Sequence, residues 1–155
     1  MKKGKVLALL AAFFLVIGYA GIGEAGRYKT AKDFVKAAKK HIKEISPAHA
    51  YKLLGKKGVI FLDVREPSEY NAGHIDGAIN LPRGLLEFKI SKKIPNKNAT
   101  IVVYCKTGGR GALATYTLKQ MGYKNVYNLK GGWLGWKKFM STHKKGEEEE
   151  EEEGC

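Results

Sequence analysis

Between Val103 and Ala112 the chain reads VYCKTGGRGA, which puts one cysteine, two adjacent glycines and an arginine within the six residues Cys105 to Arg110. A thiolate is a strong nucleophile, and one at the start of a helix meets the positive end of the backbone dipole and the unpaired N–H groups of the first turn. Lys106 and Arg110 add positive charge beside it. Gly108 and Gly109 let the backbone curl so that successive N–H groups converge on one point, an arrangement that receives an anion. Taken together, Cys105 is the candidate nucleophile, and Lys106, Thr107, Gly108, Gly109 and Arg110 form a loop of anion-stabilising donors around it. The plainer alternatives are a buried small hydrophobe, a surface lysine and a simple turn. Each is common alone, and their joint occurrence between a strand and a helix is not.

The residues around the loop say how it is placed. Thr100 to Tyr104, TIVVY, reads as a buried strand that ends immediately before Cys105, and a helix from about Ala112 to Met121 stops at Gly122. Val59 to Val64 is a second continuous apolar run of the kind found where both faces of a parallel sheet are covered. Asp63 and Arg65 stand at its end, where a structural ion pair or hydrogen-bond network supporting the loop is the expected role rather than proton transfer. Further short elements follow the same alternation: a helix near Pro67 to Tyr70, a strand at Ala78 to Leu81, a helical turn or two at Leu85 to Ile90, a strand at Val126 to Leu129 and a helix at Trp133 to Met140. Alternating strands and helices predict a three-layer α/β fold, with a central, mainly parallel sheet and helices on both faces. Ligands bind such sheets at the carboxyl ends of the strands, which is where Cys105 falls.

N-terminal to this body, residues 26–45 read as an amphipathic helix. Thr30 is its cap, Asp33 is the acidic partner three residues on, and Phe34, Val35, Ala38, His41, Ile42 and Ile45 keep helical spacing. Ser46 and Pro47 start another helix, running to about Leu54. Earlier still, Lys2, Lys3 and Lys5 precede an uncharged stretch of 18 residues, Val6 to Gly23. Gly23-Glu24-Ala25 then has the small-x-small form of a cleavage site. Residues 1–25 are therefore expected to be an export signal, with a periplasmic or otherwise exported product; an uncleaved membrane anchor is the competing reading.

Of 155 residues, 44% are hydrophobic, enough for one core and therefore one domain, placed at 46–142. Residues 26–146 carry 25 basic and seven acidic side chains, and seven consecutive glutamates follow, Glu147 to Glu153. The lysines are scattered rather than gathered into a stripe with aromatics, which argues against nucleic acid and for a field that concentrates small anions. Residues 143–155 are expected to be a disordered acidic tail, with folding back onto the cationic body as the sharper alternative. Only Cys105 and Cys155 are present, so there is neither a disulfide framework nor a CxxC motif.

Three ordered motifs resemble the single-domain rhodanese family: FLDVREPSEYNAGHIDGAINLP from Phe61 to Pro82, CKTGGR from Cys105, and YNLKGGWLGW from Tyr127 to Trp136. The resemblance covers Ser46 to Phe139. Asp76 departs from it at a turn position where the family usually has proline. The resemblance implies a sulfurtransferase in which Cys105 takes a sulfane sulfur from a small anionic donor such as thiosulfate. The persulfide so formed passes its sulfur to cyanide, a thiol or a protein acceptor. It implies no metal and no organic cofactor, and no membrane association once the signal is cleaved. It also implies structural roles for His74, Tyr70, Asn80, Trp133 and Trp136. Two rivals stand beside it. A phosphatase of the same architecture needs five residues between cysteine and arginine, where this chain has Lys106 to Gly109. A regulatory or binding module of this family has usually lost the cysteine, which is present here as Cys105, whereas a noncatalytic sulfur carrier would use the same persulfide without broad turnover.

Overall fold

The computed structural model describes residues 30–153. The elements are α1 (Ala31–Lys39), β1 (Lys43–Ile45), α2 (Pro47–Tyr51), β2 (Val59–Asp63), α3 (Pro67–Asn71), β3 (Ile79–Asn80), a 3-10 turn (Arg83–Leu85), α4 (Leu86–Lys93), β4 (Thr100–Tyr104), α5 (Gly109–Gln120), β5 (Asn125–Leu129) and α6 (Gly132–Glu153). The expected export signal, residues 1–25, lies outside the described residues, as does Cys155.

All five strands pair in parallel, in the order β1-β5-β4-β2-β3. The sheet is the expected one, and its period of two divides the core cleanly. Ile101, Val103 and Cys105 pack on one face with Leu62, Val64, Leu86, Ile90, Ala114 and Leu118, the apolar sides of α4 and α5. Val102 and Tyr104 pack on the other with Phe61, Ile75, Ala50 and Trp136, beneath α2 and α6. Both faces of β4 are therefore buried, which is why its sequence is apolar throughout.

The two ends of the described residues differ most from the sequence reading. The first helix stops at Lys39, and Lys43–Ile45 is an edge strand on β5. Ile45 fits a helical spacing, but as a strand residue it is buried on the sheet and extends the sheet N-terminal of residue 46. Tertiary burial there outweighs local periodicity. The capping box at Thr30 forms as expected, with Asp33 N donating to Thr30 Oγ1 and Thr30 N to Asp33 Oδ2. At the other end, α6 continues through residues 143–153, where a disordered tail is expected. Glutamate is a good helix former, and lengthening an existing helix avoids the cost of nucleating one.

Candidate active site

β4 delivers the chain into the core and Cys105 stays there, buried on the α5 face of the sheet. The chain then turns sharply. Gly108 has φ +99°, a conformation that side chains rarely adopt, and from it the Gly108 N–H donates to Cys105 Sγ at 3.2 Å. Helix α5 begins at the next residue, so the sulfur lies at a helix N-terminus as the sequence predicts. Lys106 and Thr107 are exposed at the tip, and Gly109 and Arg110 are half-buried.

A second helix grips the same loop. Trp133 N donates to Cys105 O at 2.7 Å and Leu134 N to Lys106 O at 3.1 Å, so first-turn N–H groups of α6 are satisfied by the carbonyls that begin the loop. This approach depends on Gly132, at φ +57°, where a Cβ would collide with Cys105 O and come within 2.9 Å of Gly108 N. Gly132 thus serves the cysteine loop, a role that no spacing argument assigned to it. Trp133 contributes its backbone N–H as well as its ring.

The charged residues divide into two sets. Asp63 and Arg65 form the expected buried ion pair: Arg65 Nη2 donates to Asp63 Oδ2 at 2.6 Å and Nε to Oδ2 at 2.9 Å. Burial works against the Arg65 charge, but the hydrogen bonds it donates to Asp63 prevail and hold the guanidinium protonated. Arg65 also donates to Gly73 O at 2.7 Å and lies over the rings of Tyr104 and Trp133 at 5.6 and 5.2 Å. It thereby braces the strand end before the loop and the helix start that grips it. Tyr104, whose phenol is held protonated by burial, accepts a hydrogen bond from Ile75 N.

Arg110 is not the free charge that the sequence suggests. Its Nη1 and Nη2 each lie 2.9 Å from an oxygen of Glu69, on α3. The hydrogen bonds from Arg110 hold the Glu69 carboxyl below its usual range, and those to Glu69 raise Arg110 above its own. Glu69 was not singled out by sequence, because nothing in the spacing of residues 69 and 110 brings them together.

His74 has the structural setting expected of it, stacked on Tyr70 at 3.7 Å with Nδ1 3.0 Å from Tyr70 O. Asn80 holds the backbone of the ion-pair segment, donating to Asp63 O and Arg65 O. Sequence reasoning also missed Asn128, which is buried on β5 and donates to Gly108 O at 3.2 Å. Among the described residues, no three His, Cys, Asp or Glu side chains cluster as a metal site would.

A parallel sheet that presents one buried cysteine between two helix N-termini matches what family comparison finds. The rhodanese-like domain family matches residues 46–139, and the chain belongs to that family. It is 39% identical over 71 residues to the thiosulfate sulfurtransferase PspE of Escherichia coli, covering 46% of this chain and 68% of that protein. It is 35% identical over 99 residues to the thiosulfate sulfurtransferase GlpE of Pseudoalteromonas translucida, covering 64% and 92%. Among solved structures, the human single-domain sulfurtransferase TSTD1 aligns with a TM-score of 0.55 at 28% identity, over 61% of this chain and 95% of that one. A Rhodopseudomonas palustris protein of unknown function, described as a possible tyrosine phosphatase, aligns with a TM-score of 0.64 at 31% identity, over 75% and 96%.

Proposed function

We propose that the chain is a rhodanese-type sulfurtransferase that moves a sulfane sulfur from thiosulfate or a similar small anion to a thiophilic acceptor. The Cys105 thiolate attacks the outer sulfur of the donor, a new S–S bond forms, and sulfite departs with the electron pair of the bond that breaks. A nucleophile such as cyanide or a thiolate then takes the terminal sulfur, and the electrons of the second S–S bond return to Cys105. The observation that carries this reading is the Gly108 N–H aimed at Cys105 Sγ. Because α6 draws the Cys105 and Lys106 carbonyls to itself, an N–H rather than a carbonyl faces the sulfur. Lys106, exposed at the tip, attracts the donor, and Arg110 stabilises departing sulfite in competition with Glu69. Asp63 and Arg65 support the loop without exchanging protons.

Similarity to thiosulfate sulfurtransferases favours this reading over the phosphatase, as does the short span of four residues between Cys105 and Arg110. The test is intact-mass analysis after incubation with thiosulfate. One sulfur, about 32 mass units, should add to the protein and be removed by a thiol reductant, and Cys105→Ser should abolish both the adduct and turnover. Full activity in that variant overturns the mechanism. Loading without turnover to cyanide, but with transfer to a protein acceptor, favours a sulfur carrier. In the same reading residues 1–25 direct export, so N-terminal sequencing of cell-derived protein should begin at Gly26; retention of Met1 with membrane association favours an anchor.

A further inference from the structure

Residues 30–45 precede the segment that the family matches, yet they reach the cysteine loop. β1 pairs with β5 so that Glu44 lies directly opposite Asn128, and the two side chains share a face of the sheet. Asn128 Nδ2 donates to Glu44 Oε1 at 2.7 Å and to Gly108 O at 3.2 Å. A carboxylate and a peptide carbonyl can only accept, so the NH2 end of the amide must face them. The other end is turned inward. Asn128 Oδ1 is buried with no hydrogen-bond partner and lies 2.5 Å from where a Cβ on Gly111 would stand. An unpaired buried carbonyl is costly, and rotating the amide would set its oxygen against two acceptors instead. Glu44 is itself held by Lys39 at the end of α1, at 3.0 Å.

We propose that Glu44 and Asn128 are positioning residues for sulfur transfer: Glu44 fixes the orientation of the Asn128 amide, which holds the Gly108 carbonyl and so keeps the Gly108 N–H on Cys105 Sγ. The contribution to transfer rests on the sulfurtransferase reading, whereas the link itself does not. Gly108 is the natural point of control. Its carbonyl is shared between Ala112 N, in the first turn of α5, and Asn128 Nδ2, while its N–H is the donor to sulfur. With φ at +99° it has no side chain of its own to restrain it.

The test compares Glu44→Ala with Glu44→Gln in the full chain. Both remove the charge, but only glutamine keeps an oxygen that can accept from Asn128. Glu44→Ala should shift the Gly108 amide proton resonance and slow sulfur loading of Cys105 by thiosulfate about tenfold, with KM changed less than about twofold. Glu44→Gln should retain both the wild-type resonance and most of the rate. Adding Glu44→Ala to Asn128→Ala should cost little further, because the two act through one contact. A Glu44→Ala protein with unchanged resonance and loading overturns the proposal, as does equal loss in the alanine and glutamine variants. If Asn128→Ala does not fold, the Glu44 pair decides alone. If wild-type protein takes up no sulfur, the sulfurtransferase reading fails while the Gly108 resonance still tests the link.

Discussion

Arg65 and Arg110 each engage a carboxylate through two nitrogens, and the two pairs flank the same loop. The side chains of Arg65 and Asp63 are 3% and 0% exposed, and those of Arg110 and Glu69 are 38% and 29% exposed. Chemistry is nearly constant across the comparison, and surroundings are not. In the first pair neither partner can fall back on water, so each depends on the other and on neighbouring backbone and rings. In the second, solvent screens the attraction and can replace either partner. The buried pair is therefore scaffold, and the rim pair is left adjustable where an anionic donor would approach.

Substitution at Arg65 tests this contrast most severely. Arg65→Leu strands the Asp63 carboxylate in the core, and urea denaturation should show a loss of about 3–5 kcal/mol. A loss under about 1 kcal/mol would put the two pairs in one class. Arg110→Ala should do the reverse. Stability should change by no more than about 1 kcal/mol, while turnover with thiosulfate falls by about one to two orders of magnitude. Lys106→Ala should reduce turnover less, since a flexible exposed ammonium positions an anion weakly. If neither change alters donor kinetics, charge is not what the rim supplies.

The smallest effect is expected at Glu69. Its carboxyl is held below the ordinary value of 4.5 by hydrogen bonds from Arg110, so the folded state favours its ionised form. That contribution is fully present above pH 4.5 and is lost as pH falls through the lower folded value. Half-exposure keeps it to roughly 0–1 kcal/mol. Thermal unfolding of Glu69→Gln should accordingly differ slightly from wild type near neutrality and converge with it in acid. A gap that widens in acid would mean the pair stabilises by some other route.

Legibility in the sequence follows the range of the interactions. β2 and β4 could be read because strands covered on both faces are apolar at every position, as in VIFLD and TIVVY. The cysteine loop could be read because its parts are consecutive: a strand end, a thiol, two glycines and a helix start. Residues 41–45 were misread because an isoleucine at helical spacing is equally an isoleucine on an edge strand, and only the open side of β5 distinguishes the two. At the other end of the described residues, α6 runs on through residues 143–153. A glutamate run has no apolar face to suggest a helix, but it can continue one already formed.

Local patterns in the chain suffice to give the alternation of strands and helices, the place of Cys105 at a strand-to-helix turn, and the need for glycine beside it. These rest on periodicity and on backbone sterics within a few residues. The partners that hold the cysteine loop come together only when the chain folds. Trp133 N on Cys105 O, Glu69 on Arg110 and Glu44 through Asn128 on Gly108 join positions 28, 41 and up to 84 residues apart in the chain. Such pairings depend on which strands lie side by side and which residues stand opposite one another, whereas a sequence pattern with a period of two or 3.6 says only which face of an element is buried.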